Sequence, residues 1–294
     1  MPHIFDPRVL SRMERLDIIA RFVVEGFLSG RHESPFQGFS VEFSQHRAYA
    51  PGDDTRRIDW KAYGKTERYY VKQYQQETNL TAHLLVDTSR SMAYASEQLR
   101  KVEYAKMAAA CLAYLILDQQ DAVSVMSFSD DLRIAIAPTS RMAGFSDVCE
   151  ALAPIEPAGA GNIPSALHQI AGMVRRRGIV IVISDFLCDV EAVLKGFEHL
   201  RFAGHDCLAV HVLDHAEIFF PFSGTCLFEG LESESRVFTD AGRVKRHYVD
   251  AMHAFIARLR AGCVAAQVDY VLADTTSPID KVLAGYLLSR GRAR

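Results

Sequence analysis

The sequence predicts a doubly wound, Rossmann-like α/β fold with a mainly parallel sheet and a smaller N-terminal region. Strand-like and helix-like segments alternate from about Tyr69 onward. Residues 179–184, IVIVIS, form an unbroken apolar run that is typical of a strand covered on both faces. Residues 99–117 carry apolar side chains spaced three and four apart, which indicates a helix with one apolar face. This alternation predicts right-handed crossovers between parallel strands.

The α/β domain is expected to span residues 79–294. Strands are predicted at residues 79–86, 122–128, 132–137, 179–184, 207–213 and 268–272, and helices at residues 99–117, 164–177, 190–202, 244–260 and 278–289. Asn162 is an available N-cap for the helix that begins at Pro164, and Gly178 ends that helix. Residues 220–240 interrupt the alternation and favour a short edge hairpin or a decorated loop.

The N-terminal region, residues 1–78, follows a different pattern. Residues 9–27 predict an amphipathic helix, and residues 30–74 predict irregular structure with short strands such as residues 69–74. The segment PGDDTRRIDW, residues 51–60, combines a turn glycine, pairable charges and the only tryptophan. It is expected to be a rigid loop that docks this region, and a partner-facing surface is the alternative.

Composition narrows the functional classes. The formal net charge of −3 and pI of about 6.4 give no global basic field for nucleic acid. The six cysteines include no CxxC pair and are expected to be reduced thiols. No apolar run approaches the ~20 residues that cross a bilayer, and no signal-peptide pattern is recognisable. We therefore expect a soluble, cytoplasmic protein.

Oxygen-bearing side chains follow two of the predicted strands. Asp87, Ser89 and Ser91 come directly after the strand at residues 79–86, and Asp185 follows the strand at residues 179–184. Ligands of open α/β sheets bind at the carboxyl ends of strands, and such oxygens suit a hard cation such as Mg²⁺. Each segment alone is also compatible with simple turn or helix capping. Together they predict a divalent-cation site at this edge.

These residues carry a resemblance to known proteins. Asp87, Ser89, Ser91 and Asp185 resemble the metal-ion-dependent adhesion site of von Willebrand factor A domains. The segment HRAYAPGDDTRRIDWKAYG resembles the signature of the bacterial domain-of-unknown-function family number 58, and the similarity extends over nearly the whole chain. The resemblance implies a von Willebrand factor A-like fold. It also implies a role with MoxR-type AAA+ ATPases in protein maturation, complex assembly or metal insertion.

One position departs from the pattern of such sites. They usually add a threonine from a later loop, whereas the corresponding run here, PAGAGNIPSAL, has Gly161 at that position. The adjacent Asn162 either donates an amide oxygen to the cation or serves only as the helix N-cap. The resemblance thus implies bound Mg²⁺ with Asp87, Ser89, Ser91, Asp185 and Asn162 as candidate ligands. An open position would accept a carboxylate from a partner protein.

The leading hypothesis is a non-catalytic, metal-assisted adaptor that binds a MoxR-type ATPase or its client. One alternative is a metal-dependent, phosphatase-like hydrolase that uses Asp87. Ser89 argues against it, because aspartyl phosphatases usually place an acid/base carboxyl group two residues on. A second alternative is a structural scaffold with a degenerate metal site, which Gly161 permits. No Walker A, GxGxxG, GxSxG or HExxH motif supports another enzyme class.

Overall fold

The computed structural model describes residues 6–11, 13, 15–29, 47–48, 70–71 and 80–292. The chain divides into two compact units, one made of residues 1–31 and 80–294 and the other of residues 32–79. In the second unit, strand β1 (Arg47–Ala48) pairs antiparallel with β2 (Tyr70–Val71). The segment PGDDTRRIDW and its predicted docking role lie outside the described residues.

The described residues of the α/β unit form eight strands, which are β3 (Thr81–Asp87), β4 (Ala122–Phe128), β5 (Leu132–Thr139), β6 (Gly178–Ser184), β7 (Asp206–Leu213), β8 (Thr225–Glu229), β9 (Arg236–Asp240) and β10 (Asp269–Asp274). Six of these strands form the main sheet in the order β10-β7-β6-β3-β4-β5. Neighbouring strands of this sheet are parallel except for β4 and β5, which form an antiparallel hairpin. A separate two-stranded antiparallel sheet contains β8 and β9.

The described helices surround the main sheet and confirm a mixed α/β fold. They are α1 (Pro7–Leu10), α2 (Leu16–Leu28), α3 (Lys101–Asp118), α4 (Phe145–Leu152), α5 (Ile163–Met173), α6 (Val190–Phe202), α7 (His215–Phe219), α8 (Ala241–Ala265) and α9 (Asp280–Arg292). Two short 3-10 helices cover Arg90–Ala93 and Met142–Gly144. None of the described helices is both long and apolar enough to cross a membrane.

Strand β6 shows why the sheet is covered on both sides. All seven of its residues are buried. Because successive strand side chains point to opposite faces, Ile179, Ile181 and Ile183 join one apolar cluster, with α2, α3, α4 and α9. Val180 and Val182 join a second cluster on the other face, with α5, α6 and α8. The unbroken β-branched run therefore serves two cores at once.

The path of the chain creates a switch point between β3 and β6. From β3 the chain proceeds to β4 and β5 on one side, and it then returns to β6 and continues to β7 and β10 on the other side. Strands β3 and β6 are direct parallel neighbours, with Val86 opposite Ile183. Loops that leave the carboxyl ends of two such strands diverge and open a crevice. Asp87 and Asp185 stand at this point.

Helix α2 belongs with the α/β unit, which differs from the expected boundary at residue 78. Its residues Ile19, Ala20, Val23 and Val24 are buried in the same apolar cluster as α3. The physical reason is that α3 is apolar almost all round, so its outer side needs a cover. The sequence pattern identified the helix but could not show which unit it covers.

Two further differences from the predictions concern the end of one helix and the presence of two short helices. The helix predicted at residues 164–177 ends at Met173, because Val174 is extended and its carbonyl accepts a hydrogen bond from His205 Nε2 at 3.1 Å. Helices α4 and α7 were not predicted, since eight and five residues show little periodicity. The capping box of α7, formed by Asp214 and Glu217, is the sequence signal that could have identified it.

Candidate functional site

Asp87 is the last residue of β3 and its side chain is almost fully buried. Only 1% of the residue is exposed. One carboxylate oxygen accepts a hydrogen bond from the Ser89 backbone N–H at 2.8 Å, and the other accepts one from the Ser184 hydroxyl at 2.5 Å. Ser184 is the last residue of β6, so the two neighbouring strands hold this carboxylate between them.

The two serine hydroxyls of the D-x-S-x-S segment lie side by side. Ser89 Oγ and Ser91 Oγ are 2.9 Å apart. The 3-10 turn at Arg90–Ala93 begins directly after Ser89 and brings both hydroxyls to the same side of the loop. Thr88, which lies between Asp87 and Ser89, is directed elsewhere, because its hydroxyl donates to the Phe128 carbonyl at 2.9 Å.

Asp185 follows β6 and is bound by a buried lysine. Lys101 Nζ donates to Asp185 Oδ2 at 2.7 Å and to Glu217 Oε1 at 2.8 Å. The lysine side chain is fully buried and that of Asp185 is 3% exposed. Lys101 is the first residue of α3 and Glu217 lies in α7, so one ammonium group connects three elements at the carboxyl edge of the sheet.

The two acidic side chains influence each other's ionisation. Burial and the nearby charge of Asp185 raise the pKa of Asp87 to about 7. Burial alone would also raise the pKa of Asp185, but the charge and hydrogen bond of Lys101 and a hydrogen bond from Ser91 lower it. Asp87, Ser89, Ser91 and Asp185 therefore share one site. Lys101 balances the charge of Asp185, whereas ionisation of Asp87 carries an electrostatic cost.

Gly161 lies directly beside Ser89. It has a φ of +68°, and a Cβ atom at this position would come within 2.7 Å of Ser89 Cβ and 3.3 Å of Ser89 Oγ. A threonine at this position would therefore combine a left-handed backbone with a collision. The glycine keeps the space next to the Ser89 hydroxyl open.

Asn162 has the capping role that was one of its two predicted roles. Its side-chain oxygen accepts a hydrogen bond from the Ser165 backbone N–H at 3.0 Å at the start of α5. Its own backbone N–H donates to the Ser129 carbonyl. Contact of the amide oxygen with a cation stays a prediction.

Sequence reasoning did not single out Ser184, Lys101, Glu217 or Glu232 as parts of this site. The sequence could have indicated Ser184, because it is a polar residue at the end of an otherwise apolar strand. The sequence gives no indication that Lys101 belongs to the site, because a charged residue at the start of a helix is normally exposed to solvent. Glu232, on the loop between β8 and β9, accepts a hydrogen bond from the Ser91 backbone N–H at 3.2 Å. Only the folded chain brings these residues to the site formed by Asp87, Ser89, Ser91 and Asp185.

The donors of the site fit a hard divalent cation. Among the described residues, no group of three or more His, Cys, Asp or Glu side chains is arranged to hold a metal ion. The site instead combines the Asp87 carboxylate with the hydroxyls of Ser89 and Ser91, which are oxygen donors of the kind that Mg²⁺ accepts together with water. When ionised, the carboxylates of Asp87, Asp185 and Glu217 exceed the single charge of Lys101 by two. A divalent cation would balance this excess.

Sequence comparison identifies relatives of the chain. The family described as "Protein of unknown function DUF58" matches residues 45–255. An uncharacterized protein of Mycobacterium tuberculosis is 27% identical over 233 residues, which are 78% of this chain and 72% of that protein. An uncharacterized protein of Mycobacterium bovis gives the same values.

Solved structures with a similar fold include von Willebrand factor A-like domains. The conserved hypothetical protein BatB from Bacteroides thetaiotaomicron is 14% identical, with a TM-score of 0.46, and the match covers 73% of this chain and all of that one. A von Willebrand factor type A protein from Catenulispora acidiphila is 11% identical, with a TM-score of 0.42, and covers 71% of this chain and 42% of that one. Since the family match alone spans well over half of the residues, the chain belongs to the DUF58 family of proteins of unknown function.

Proposed function

We propose that this protein is a non-catalytic, metal-assisted protein-binding module that acts as an adaptor for a MoxR-type AAA+ ATPase. The observation that supports the proposal is the buried Asp87 carboxylate beside two paired serine hydroxyls at the switch point of the sheet. The raised pKa of Asp87 means that its negative charge is costly in the folded protein, so a positive charge bound beside it would stabilise that state.

The chain's own residues have distinct tasks in this proposal. Asp87, Ser89 and Ser91 would hold the cation, and Asp185 would approach it directly or through water. Ser184 and the Ser89 backbone N–H fix the Asp87 carboxylate, and Lys101 fixes Asp185. When bound, the cation supplies a positive charge that accepts an acidic side chain from the partner protein. The partner's carboxylate is thus recognised at the rim of the sheet.

The first experiment measures cation binding to the metal-free protein. Isothermal titration with Mn²⁺ is expected to show one site, which Ser89→Ala weakens at least about tenfold, or about 1.4 kcal/mol. Thr88→Ala is the matched control, because it removes a hydroxyl from the same loop that donates to the Phe128 carbonyl. Absence of binding by the wild-type chain, or equal losses in both variants, would contradict the metal site.

The second experiment tests the partner. Immobilised wild-type protein is expected to retain a MoxR-type ATPase of the same organism in Mg²⁺ and to release it in a chelator, whereas Ser89→Ala fails to retain it. Retention that ignores the chelator would favour the scaffold with a degenerate site. Turnover of p-nitrophenyl phosphate that is abolished in Asp87→Asn would favour the hydrolase instead.

A further inference from the structure

The loop that joins β8 and β9 reaches the candidate site from a distant part of the chain. The two strands pair from Thr225 and Asp240 at the base to Glu229 and Arg236 near the tip. A salt bridge of 3.0 Å joins Glu229 to Arg236, and the Gly230 backbone N–H donates to the Ser235 carbonyl at 2.8 Å. The tip is therefore residues 231–235, LESES, and its ends are tied together.

Strand β8 of this hairpin is anchored by aromatic packing. Phe228 stacks on Phe220 with ring centroids 5.5 Å apart and contacts Phe222 edge-on at 5.7 Å. Phe220 also contacts Tyr248 of α8 at 4.7 Å. Such clusters fix the direction in which an element projects. The position of the tip relative to the sheet edge is thus set by packing.

Glu232 is the tip residue that contacts the site. Its Oε1 accepts a hydrogen bond from the Ser91 backbone N–H at 3.2 Å, across 141 residues of sequence. The Glu232 carboxylate therefore lies against the loop that holds Ser89 and Ser91.

The charges around this contact favour a further cation. Glu232 is exposed, yet it approaches a site where the carboxylates of Asp87, Asp185 and Glu217 are opposed by the single buried ammonium group of Lys101. The hydrogen bond from the Ser91 backbone N–H to Glu232 is opposed by repulsion between like charges. A cation bound beside Ser89 and Ser91 would turn that repulsion into attraction.

We propose that Glu232 is an intramolecular carboxylate ligand of the cation site, so that the hairpin tip closes the site until a partner's carboxylate displaces it. This inference rests on the proposed metal-assisted binding function. It identifies the chemistry of the competing ligand as a single acidic side chain presented on an extended tip. A partner must then offer an acidic side chain that reaches past residues 231–235.

The tip offers its own matched control. Glu234 is exposed and lies two residues from Glu232 on the same loop. Glu232→Gln and Glu234→Gln change the net charge equally and leave the tip length, the Glu229–Arg236 salt bridge and the aromatic packing of Phe228 unchanged. Any difference between the two variants reports the position of the carboxylate and not the overall charge.

The experiment titrates each metal-free protein with Mn²⁺ and follows hydrogen exchange of the tip amides. Glu232→Gln is expected to weaken Mn²⁺ binding about tenfold or more, as loss of one supporting carboxylate does, while Glu234→Gln matches the wild type. Added Mg²⁺ is expected to slow exchange of residues 231–235 in the wild type and in Glu234→Gln, but not in Glu232→Gln.

The outcomes separate this inference from the proposed function. If the wild type binds Mn²⁺, Ser89→Ala does not, and both glutamine variants bind like the wild type with unchanged tip exchange, the intramolecular ligand is overturned and the metal site stands. If the wild type binds no cation, both proposals are overturned. Selective weakening in Glu232→Gln together with lost tip protection supports the intramolecular ligand.

Discussion

At the scale of single residues, the site depends on side chains with different environments. Asp87 and Asp185 are both buried. Burial and the negative charge of Asp185 raise the pKa of Asp87. Burial would also raise the pKa of Asp185, but the charge and hydrogen bond of Lys101 outweigh this effect and lower it. Two carboxylates of the same type thus differ because only one has an ammonium group in hydrogen-bond contact. The absence of a side chain at Gly161 is also important for the site, because a Cβ atom there would occupy the space of the Ser89 side chain.

Gly161→Ala is expected to disturb both stability and the site. An alanine at positive φ costs about 1–2 kcal/mol, and the contact of its Cβ with Ser89 adds about 1–3 kcal/mol of overpacking. Gly224→Ala is the control, because Gly224 has a φ of +71° with open space around its Cβ position. Urea unfolding measures both variants. Equal losses of unfolding free energy would contradict the proposed contact with Ser89.

At the scale of elements, the carboxyl edge of the sheet is held together by one lysine. Lys101 at the start of α3 binds Asp185 after β6 and Glu217 in α7. Glu217 completes the capping box of α7, and Asp214 of the same box accepts a hydrogen bond from the Ser96 backbone N–H at 2.9 Å. The loops after β3, β6 and β7 are therefore coupled through buried charges.

Lys101→Met is expected to destabilise the protein by about 3–5 kcal/mol, because it leaves buried carboxylates without their counterion. Adding Asp185→Asn removes one of those charges, so the double variant should lose less than the sum of the two single losses. Chemical unfolding of the single and double variants measures this coupling. Strict additivity would contradict a direct, energetically significant Lys101–Asp185 pair.

At the scale of the whole molecule, the α/β unit is assembled from two stretches of sequence. Residues 1–31 and 80–294 form one compact unit around the six described strands. Helix α2 contributes the fully buried Val23 and Val24 to the cluster that also contains α3. The core of the unit is therefore incomplete without the first part of the chain.

Val23→Ser is expected to lower the unfolding free energy of the α/β unit by about 2–4 kcal/mol, since it opens a cavity and buries a hydroxyl group. Ile18→Ser on the same helix is the control, because Ile18 is 43% exposed, and its loss should be about 1 kcal/mol or less. Denaturation followed by far-UV circular dichroism distinguishes them. A Val23→Ser protein as stable as wild type would show that α2 is dispensable to the core.

The sequence by itself determined the alternation of strands and helices, because the periodicity of apolar residues reflects which faces are covered. It also located Asp87, Ser89, Ser91 and Asp185 at strand ends, since ligand-binding loops follow the carboxyl ends of parallel strands.

Only the tertiary structure decided what surrounds those residues. Lys101 and Glu232 reach the site across 84 and 141 residues of sequence, from Asp185 and Ser91 respectively. Local secondary-structure propensity does not predict such contacts, because they depend on the order of strands in the sheet and on packing between elements. The unit to which α2 belongs was decided in the same way, because an amphipathic pattern shows that one face is covered but not what covers it.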